Sequence, residues 1–201
     1  MGMHKVVITA VSIVLITVAC ESASTLPTPT PAPLTPTVLT PASTAAPTTS
    51  TSLAFALASA AFKDGETIPA TNTCDDQNVS PELHWSNAPS GTASFALIVD
   101  DPDAGGFTHW VLFDIPASAP GLAQAETSVG VAGANDFSKN GYGGPCPPNG
   151  AKPHHYAFKL YALDVASLNL PAGARQFDVE QAMLKGTHVL GQVKLIGIYG
   201  R

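Results

Sequence analysis

Between Ser22 and Ser52 lie 31 residues, of which 22 are proline, threonine or serine and none is charged, aromatic or glycine. Such a stretch cannot bury enough apolar surface to offset the entropy of ordering it. It predicts a disordered linker over residues 21–52 and cuts the chain into a leader, 1–20, and one folded domain, 53–201. Its seven prolines favour polyproline II, so at about 3.1 Å per residue the tract could reach roughly 95 Å. That is a spacer, and it implies something to be spaced from.

The leader supplies it. Lys5 is followed by Val6 to Val18, 13 uncharged and almost wholly apolar residues, the n-region and h-region of an export signal. The run is short of the ~20 residues that a transmembrane helix wants. It ends in Thr17-Val18-Ala19-Cys20, a small residue directly before a cysteine. This resembles a bacterial lipoprotein signal, in which Cys20 becomes the acylated first residue of the mature chain, although Thr17 stands where such signals favour leucine. The localisation expected is the bacterial cell envelope, lipid-anchored to the membrane; cleavage without acylation would instead give a secreted protein.

The 9 Lys and Arg against 15 Asp and Glu, a net charge of −6, argue against a nucleic-acid partner, which needs a positive face. The 17 glycines and 18 prolines predict many turns and few long helices. Ser94–Asp100, His109–Ile115 and His155–Leu163 are short, rich in β-branched and aromatic residues, and bounded by Pro, Gly or Asp. Tyr156, Phe158 and Leu160 share one face at period two. Gln192–Tyr199 is a further strand, and Leu53–Ser59 and Glu82–Trp85 are weaker ones. One helical spacing joins Val179, Met183 and Val189–Leu190, with Asp178 as N-cap and Gly191 past its end. The expected fold is mainly all-β: an antiparallel two-sheet β-sandwich with Greek-key connections and one or two short helices. Trp85, Trp110, Phe95, Phe113 and Phe158 read as its core, and His84 and His188 as ordinary structural or surface histidines.

Two loops are dense in polar and special-geometry residues. Asp100-Asp101-Pro102-Asp103-Ala104-Gly105-Gly106 follows a strand and returns through Thr108-His109-Trp110. Three aspartates in four positions are costly for a mere turn, because like charges repel. The second loop runs from Asn140 to Gly150 and leads into Pro153-His154-His155-Tyr156. Its four glycines and three prolines, with Pro153 just beyond, suggest a stiff backbone that a ligand can approach closely.

Ser80-Pro81-Glu82-Leu83-x-Trp85, Asp101-Pro102-Asp103-Ala104, His109-Trp110, Gly143-Gly144-Pro145-x-Pro147-Pro148-x-Gly150, His154-x-Tyr156 and Gly197-x-Tyr199-Gly200 occur in that order. Together they resemble the phosphatidylethanolamine-binding protein family, and within it the bacterial, Raf-kinase-inhibitor-like branch. The resemblance spans the whole folded domain. It implies an antiparallel β-sandwich with a small anion pocket formed by Asp101, Asp103, His109, His154 and Tyr156, walled by Gly144, Pro145 and Pro147. Gly105 stands where the family usually has proline, which would loosen that loop, and His155 where an arginine is common. In such a pocket the imidazoles, the phenol and loop amides would donate to the anion, while the aspartates orient the imidazoles and favour their protonated forms. Binding should then weaken as pH rises.

Competing chemistry is thin. Two histidines plus aspartate can ligate a metal, but no metal-specific spacing is present, and no cofactor is expected. No nucleophile and base pair stands out, so the chain reads as a non-enzyme, with an uncharacterised hydrolase as the remaining enzymatic class. With Cys20 acylated, Cys74 and Cys146 are the other two cysteines. The resemblance places both near the pocket, as a disulfide or as two adjacent thiols. The expected partners are a small anionic ligand such as phosphate or a phospho-headgroup, the membrane through the lipid anchor, and a protein target. The leading function is a tethered binding module that modulates a partner protein or senses a phosphorylated ligand. The alternative, which the resemblance implies because relatives inhibit kinases and peptidases, is a protein inhibitor whose contact would be the pocket rim.

Overall fold

The computed structural model describes residues 53–201; the expectations for the leader, Cys20 and the linker lie outside the described residues. Nine strands and one α-helix follow in chain order: β1 (Ala56–Ala58), β2 (Glu66–Thr67), β3 (Leu83–Ser86), β4 (Ser94–Asp101), β5 (Phe107–Pro116), β6 (Gly121–Leu122), β7 (Val131–Ala132), β8 (His154–Leu163), α1 (Gln176–Lys185) and β9 (Val189–Tyr199). They form a three-stranded sheet, β1-β3-β6, and a six-stranded sheet, β2-β9-β8-β4-β5-β7. Pairing between these strands is antiparallel except at one edge, where β2 runs parallel to β9. That edge departs from the antiparallel expectation.

The apolar run of β4 explains the layering. Phe95, Leu97 and Val99 face the three-stranded sheet and share a core with Leu57, Leu83, Trp85 and Leu122. Ala96 and Ile98 face the other way and pack with Val111, Phe113, Val179 and Met183 under α1. A strand buried on both faces reads as a continuous hydrophobic run rather than an alternation, which is what Ser94–Val99 shows. All five aromatic residues expected in the core are buried.

The helix is shorter than its spacing implied. It spans Gln176–Lys185, so Val189 and Leu190 open β9 instead. Asp178 is not the N-cap. It sits in the first turn, where its Oδ2 accepts from the Arg175 backbone N–H at 3.1 Å. Gly186 caps the helix, and Thr187 just past it has φ +55°, a conformation that strands and helices do not use.

Candidate functional site

The site begins with an irregularity in the β4–β5 ladder. Val99 pairs with Trp110 and Asp100 with Thr108, which leaves His109 as an extra residue on β5. A β-bulge of this kind re-aims a side chain out of the regular alternation. Here it puts the His109 ring against Tyr156, edge to face with centroids 5.1 Å apart, and beside Phe107 and Phe137, each at 5.3 Å.

At the end of β4, Asp101 turns the chain into a 3-10 turn, Pro102–Ala104, and its Oδ1 caps that turn by accepting from the Ala104 N–H at 3.0 Å. Its Oδ2 lies 2.7 Å from Nδ1 of His154, the first residue of β8. A carboxylate only accepts, so the proton of this bond sits on Nδ1. His109 Nδ1 is likewise 2.7 Å from a carbonyl, that of Gly143, and donates to it. Among the described residues neither ring has a hydrogen-bond partner for Nε2.

These groups line one cavity of about 230 Å³, together with Ala104, Phe107, Phe137, Cys146, Pro147, Pro148 and Tyr156. The Tyr156 hydroxyl is buried and, among the described residues, meets no hydrogen-bond partner. Burial, and then the Asp101 carboxylate, push its pKa well above the ordinary phenol range, so it stays a proton donor. For His109 burial is again the largest influence and lowers the pKa, outweighing the Gly143 carbonyl and Asp101, which raise it. The expectation that neighbouring aspartates would favour a protonated imidazole therefore fails at His109, because the ring is desolvated on the aromatic floor of the cavity. A larger groove, about 740 Å³, runs between α1 and residues 168–174. It gathers no comparable set, since its His188 is paired with Asp164 at 2.8 Å.

Residues 58–200 match the phosphatidylethanolamine-binding protein family. The chain belongs to this family. A UPF0098 protein of Aquifex aeolicus is 49% identical over 150 residues, covering 71% of this chain and 86% of the relative. Mycobacterium tuberculosis LppC, which carries a provisional lipoprotein designation, is 42% identical over 146 residues, 71% of each chain. The crystal structure of Escherichia coli YbcL, described as a new member of the mammalian PEBP family, superimposes with a TM-score of 0.67 at 32% identity. It covers 73% of this chain and 98% of its own.

In this phosphatidylethanolamine-binding protein the cavity gathers Asp101, His109, Pro147, His154 and Tyr156 from the residues expected. Asp103, Gly144 and Pro145 stand outside the lining. Asp103 Oδ2 accepts from the backbone N–H of His155 at 2.7 Å and contacts its Nδ1 at 2.8 Å; these bonds, backbone first, lower its pKa. His155 is thus engaged by Asp103 and adds nothing to the cavity. Gly144 donates to Asn78 Oδ1 at 2.7 Å, and the Pro145 carbonyl accepts from the Cys74 N–H at 3.1 Å. They are the back of the wall rather than its face.

Cys74 and Cys146 form a disulfide that closes a separation of 72 residues. Gly105 lies at φ +69° and its N–H reaches the Pro102 carbonyl at 3.3 Å. Proline cannot adopt that angle, so at this position glycine ties the loop down rather than loosening it. The residues missed by sequence reasoning are Phe107 and Phe137. Phe137 lies in a loop with no apolar period, and only the long-range contact with His109 gives it a role.

Proposed function

We propose that this protein is a membrane-tethered binding module that captures a small oxyanion, a phosphate or phospho-headgroup, and thereby modulates a partner protein or senses a phosphorylated ligand. The observation carrying this reading is that His109, His154 and Tyr156 line one 230 Å³ cavity with aromatic and proline neighbours, both imidazoles being held through Nδ1 and the phenol having no partner among the described residues. Protonated imidazoles and a phenol donate to anionic oxygens, and charge-assisted bonds in a dry site are the strong ones. Burial holds the His109 pKa below its ordinary value. An anion seated beside it raises its pKa, so binding takes up a proton and strengthens as pH falls.

The anchoring part of the proposal draws on the leader of this chain and on the designation of its mycobacterial relative. Acylation at Cys20 would hold the domain to the envelope through several acyl chains, each buried methylene contributing about 0.8 kcal/mol.

Isothermal titration with sulfate, whose charge is constant from pH 5 to pH 8, tests the cavity. Alkyl phosphates lose a second proton near pH ~6 and confuse the comparison. Sulfate affinity should rise steadily toward pH 5 and vanish in His109→Ala; a flat profile, or binding untouched by that change, refutes the reading. A second reading, a protein inhibitor working through the rim, is favoured by Phe137, which lines the cavity and is 38% exposed. Under it, Phe137→Ala abolishes partner inhibition while leaving sulfate affinity in place.

A further inference from the structure

We propose that the Cys74–Cys146 cystine is a reversible redox latch on the cavity wall, and that Arg201 is the residue that eases its reduction. Its effect on anion capture rests on the function proposed above; the redox chemistry itself does not.

Cys146 is exposed and Cys74 half-buried, so the bond is open to attack from one side. Over it lies the Arg201 guanidinium, whose Nη1 is 3.0 Å from Cys74 Sγ and 3.4 Å from Cys146 Sγ. A disulfide sulfur is a weak acceptor, whereas a thiolate carries a full charge, so this contact gains strength only when the bond is cut. A neighbouring arginine lowers a cysteine's pKa, and a lower-pKa thiol leaves faster. Stabilising the reduced form in this way makes a cystine a better oxidant.

Other charged and titratable groups face the pair. Asp75 Oδ1 accepts from the same Nη1 at 3.1 Å and its Oδ2 accepts from the Tyr199 hydroxyl at 2.7 Å. Across the cavity stand Asp101, His154 and Tyr156. Asp75 takes part of the guanidinium's charge, yet Nη1 remains closest to Cys74 Sγ.

The step balances with a dithiol as reductant. One of its thiolates attacks exposed Cys146 Sγ, the S–S bond breaks, and its electron pair leaves on Cys74 Sγ beside Arg201. The second thiol of the reductant then attacks the mixed disulfide, closing the reductant's own disulfide and releasing Cys146. Two electrons pass to the cystine, and the two protons of the dithiol go to the released sulfurs or to solvent.

Cutting the bond does not free the wall completely. Cys74 N–H to the Pro145 carbonyl at 3.1 Å, Gly144 N–H to Asn78 Oδ1 at 2.7 Å and the Tyr142 hydroxyl to the Asn72 carbonyl at 2.6 Å still join the two segments. What changes is the cavity, which gains a titratable sulfur on Cys146 that repels an anion once ionised.

Full-length protein in detergent is equilibrated with mixtures of reduced and oxidised dithiothreitol, and free thiols are counted by mass after alkylation. Arg201→Gln should need an about tenfold higher ratio of dithiol to disulfide for half-reduction, equivalent to about 30 mV. Arg201→Lys should recover part of that shift. Equal midpoints for wild type and Arg201→Gln overturn the assignment. A measurement on the wild type stands beside it in case the variant fails to fold. After reduction, the pH profile of Cys74 alkylation should show a thiolate well below the ordinary ~8.5 of a free thiol, and an ordinary profile overturns the role of Arg201. Sulfate titration of both redox forms tests the coupling, with several-fold weaker binding expected after reduction. Equal affinities sink the coupling; no sulfate binding by the oxidised form sinks the anion site while leaving the redox result standing.

Discussion

Asp101 serves two partners with two oxygens, one capping the Ala104 N–H and one holding His154 Nδ1. Asparagine at this position keeps an acceptor for the cap but presents an amide N–H₂ to an imidazole N–H, and two donors cannot bond. Asp101→Asn should therefore move the His154 proton to Nε2, visible as a tautomer change in imidazole nitrogen NMR. Stability should fall by about 1 kcal/mol, the difference between a hydrogen bond to a charged group and the neutral amide–imidazole bond that replaces it. Tyr156→Phe is the opposite experiment. It removes a hydroxyl that has no partner among the described residues, so chemical denaturation should show no loss. Sulfate affinity should drop about five- to tenfold, one hydrogen bond of roughly 1–1.5 kcal/mol. At this scale the sequence was informative where chemistry announces itself by residue type: Asp101, His109, His154 and Tyr156 stand out in otherwise apolar strands. Nothing local revealed that Asp103 serves His155, since that bond spans 52 residues.

The elements that build the wall depend on close approach rather than on loop flexibility. A Cβ on Gly144 would lie 2.5 Å from the Asn72 carbonyl oxygen and 2.9 Å from Thr73 Cα, both backbone atoms that cannot step aside. A Cβ on Gly143 would meet the Phe137 ring at 2.5 Å, and a ring can turn. Gly144→Ala should cost about 1–3 kcal/mol of overpacking, measured by urea denaturation. Gly143→Ala should be milder but should shift Phe137, and with it the chemical shifts of His109. The strands were legible because their runs are short, β-branched and bracketed by turn residues. The bulge at His109 was not, because it comes from how two distant strands align. The helix end was misread because Val189–Leu190 continue the apolar spacing of α1 while belonging to a strand, and a short turn through Gly186, Thr187 and His188 separates them.

For the whole molecule, pH acts on stability through His109. Its folded pKa lies below the ordinary 6.5, so the unfolded chain takes up this proton first. The contribution of this residue is complete above about pH 6.5 and declines as pH falls through and below that value. Thermal melts at pH 7.5 and pH 5.5 should show this loss, sulfate should offset it, and the offset should be absent in His109→Gln. The tether makes a separate prediction. In the native host, labelled palmitate should enter the protein and should not enter Cys20→Ser, which would then appear in the soluble fraction. The β-rich character of the folded domain could be read from composition and punctuation alone. The parallel edge and the helix layer over the second face of β4 could not, because both are decided by which distant segments meet.

The position of β9 has a consequence for how the chain is made. It lies between β2 and β8, pairing with both, although β2 and β9 stand near opposite ends of the folded sequence. Until residues 189–199 leave the ribosome, β8 has a bare flank and β2 has no neighbour at all, so the six-stranded sheet cannot close. Contacts this distant in sequence form late and slowly. A nascent chain of this design stays open along that flank until β9 arrives to join β2 and β8.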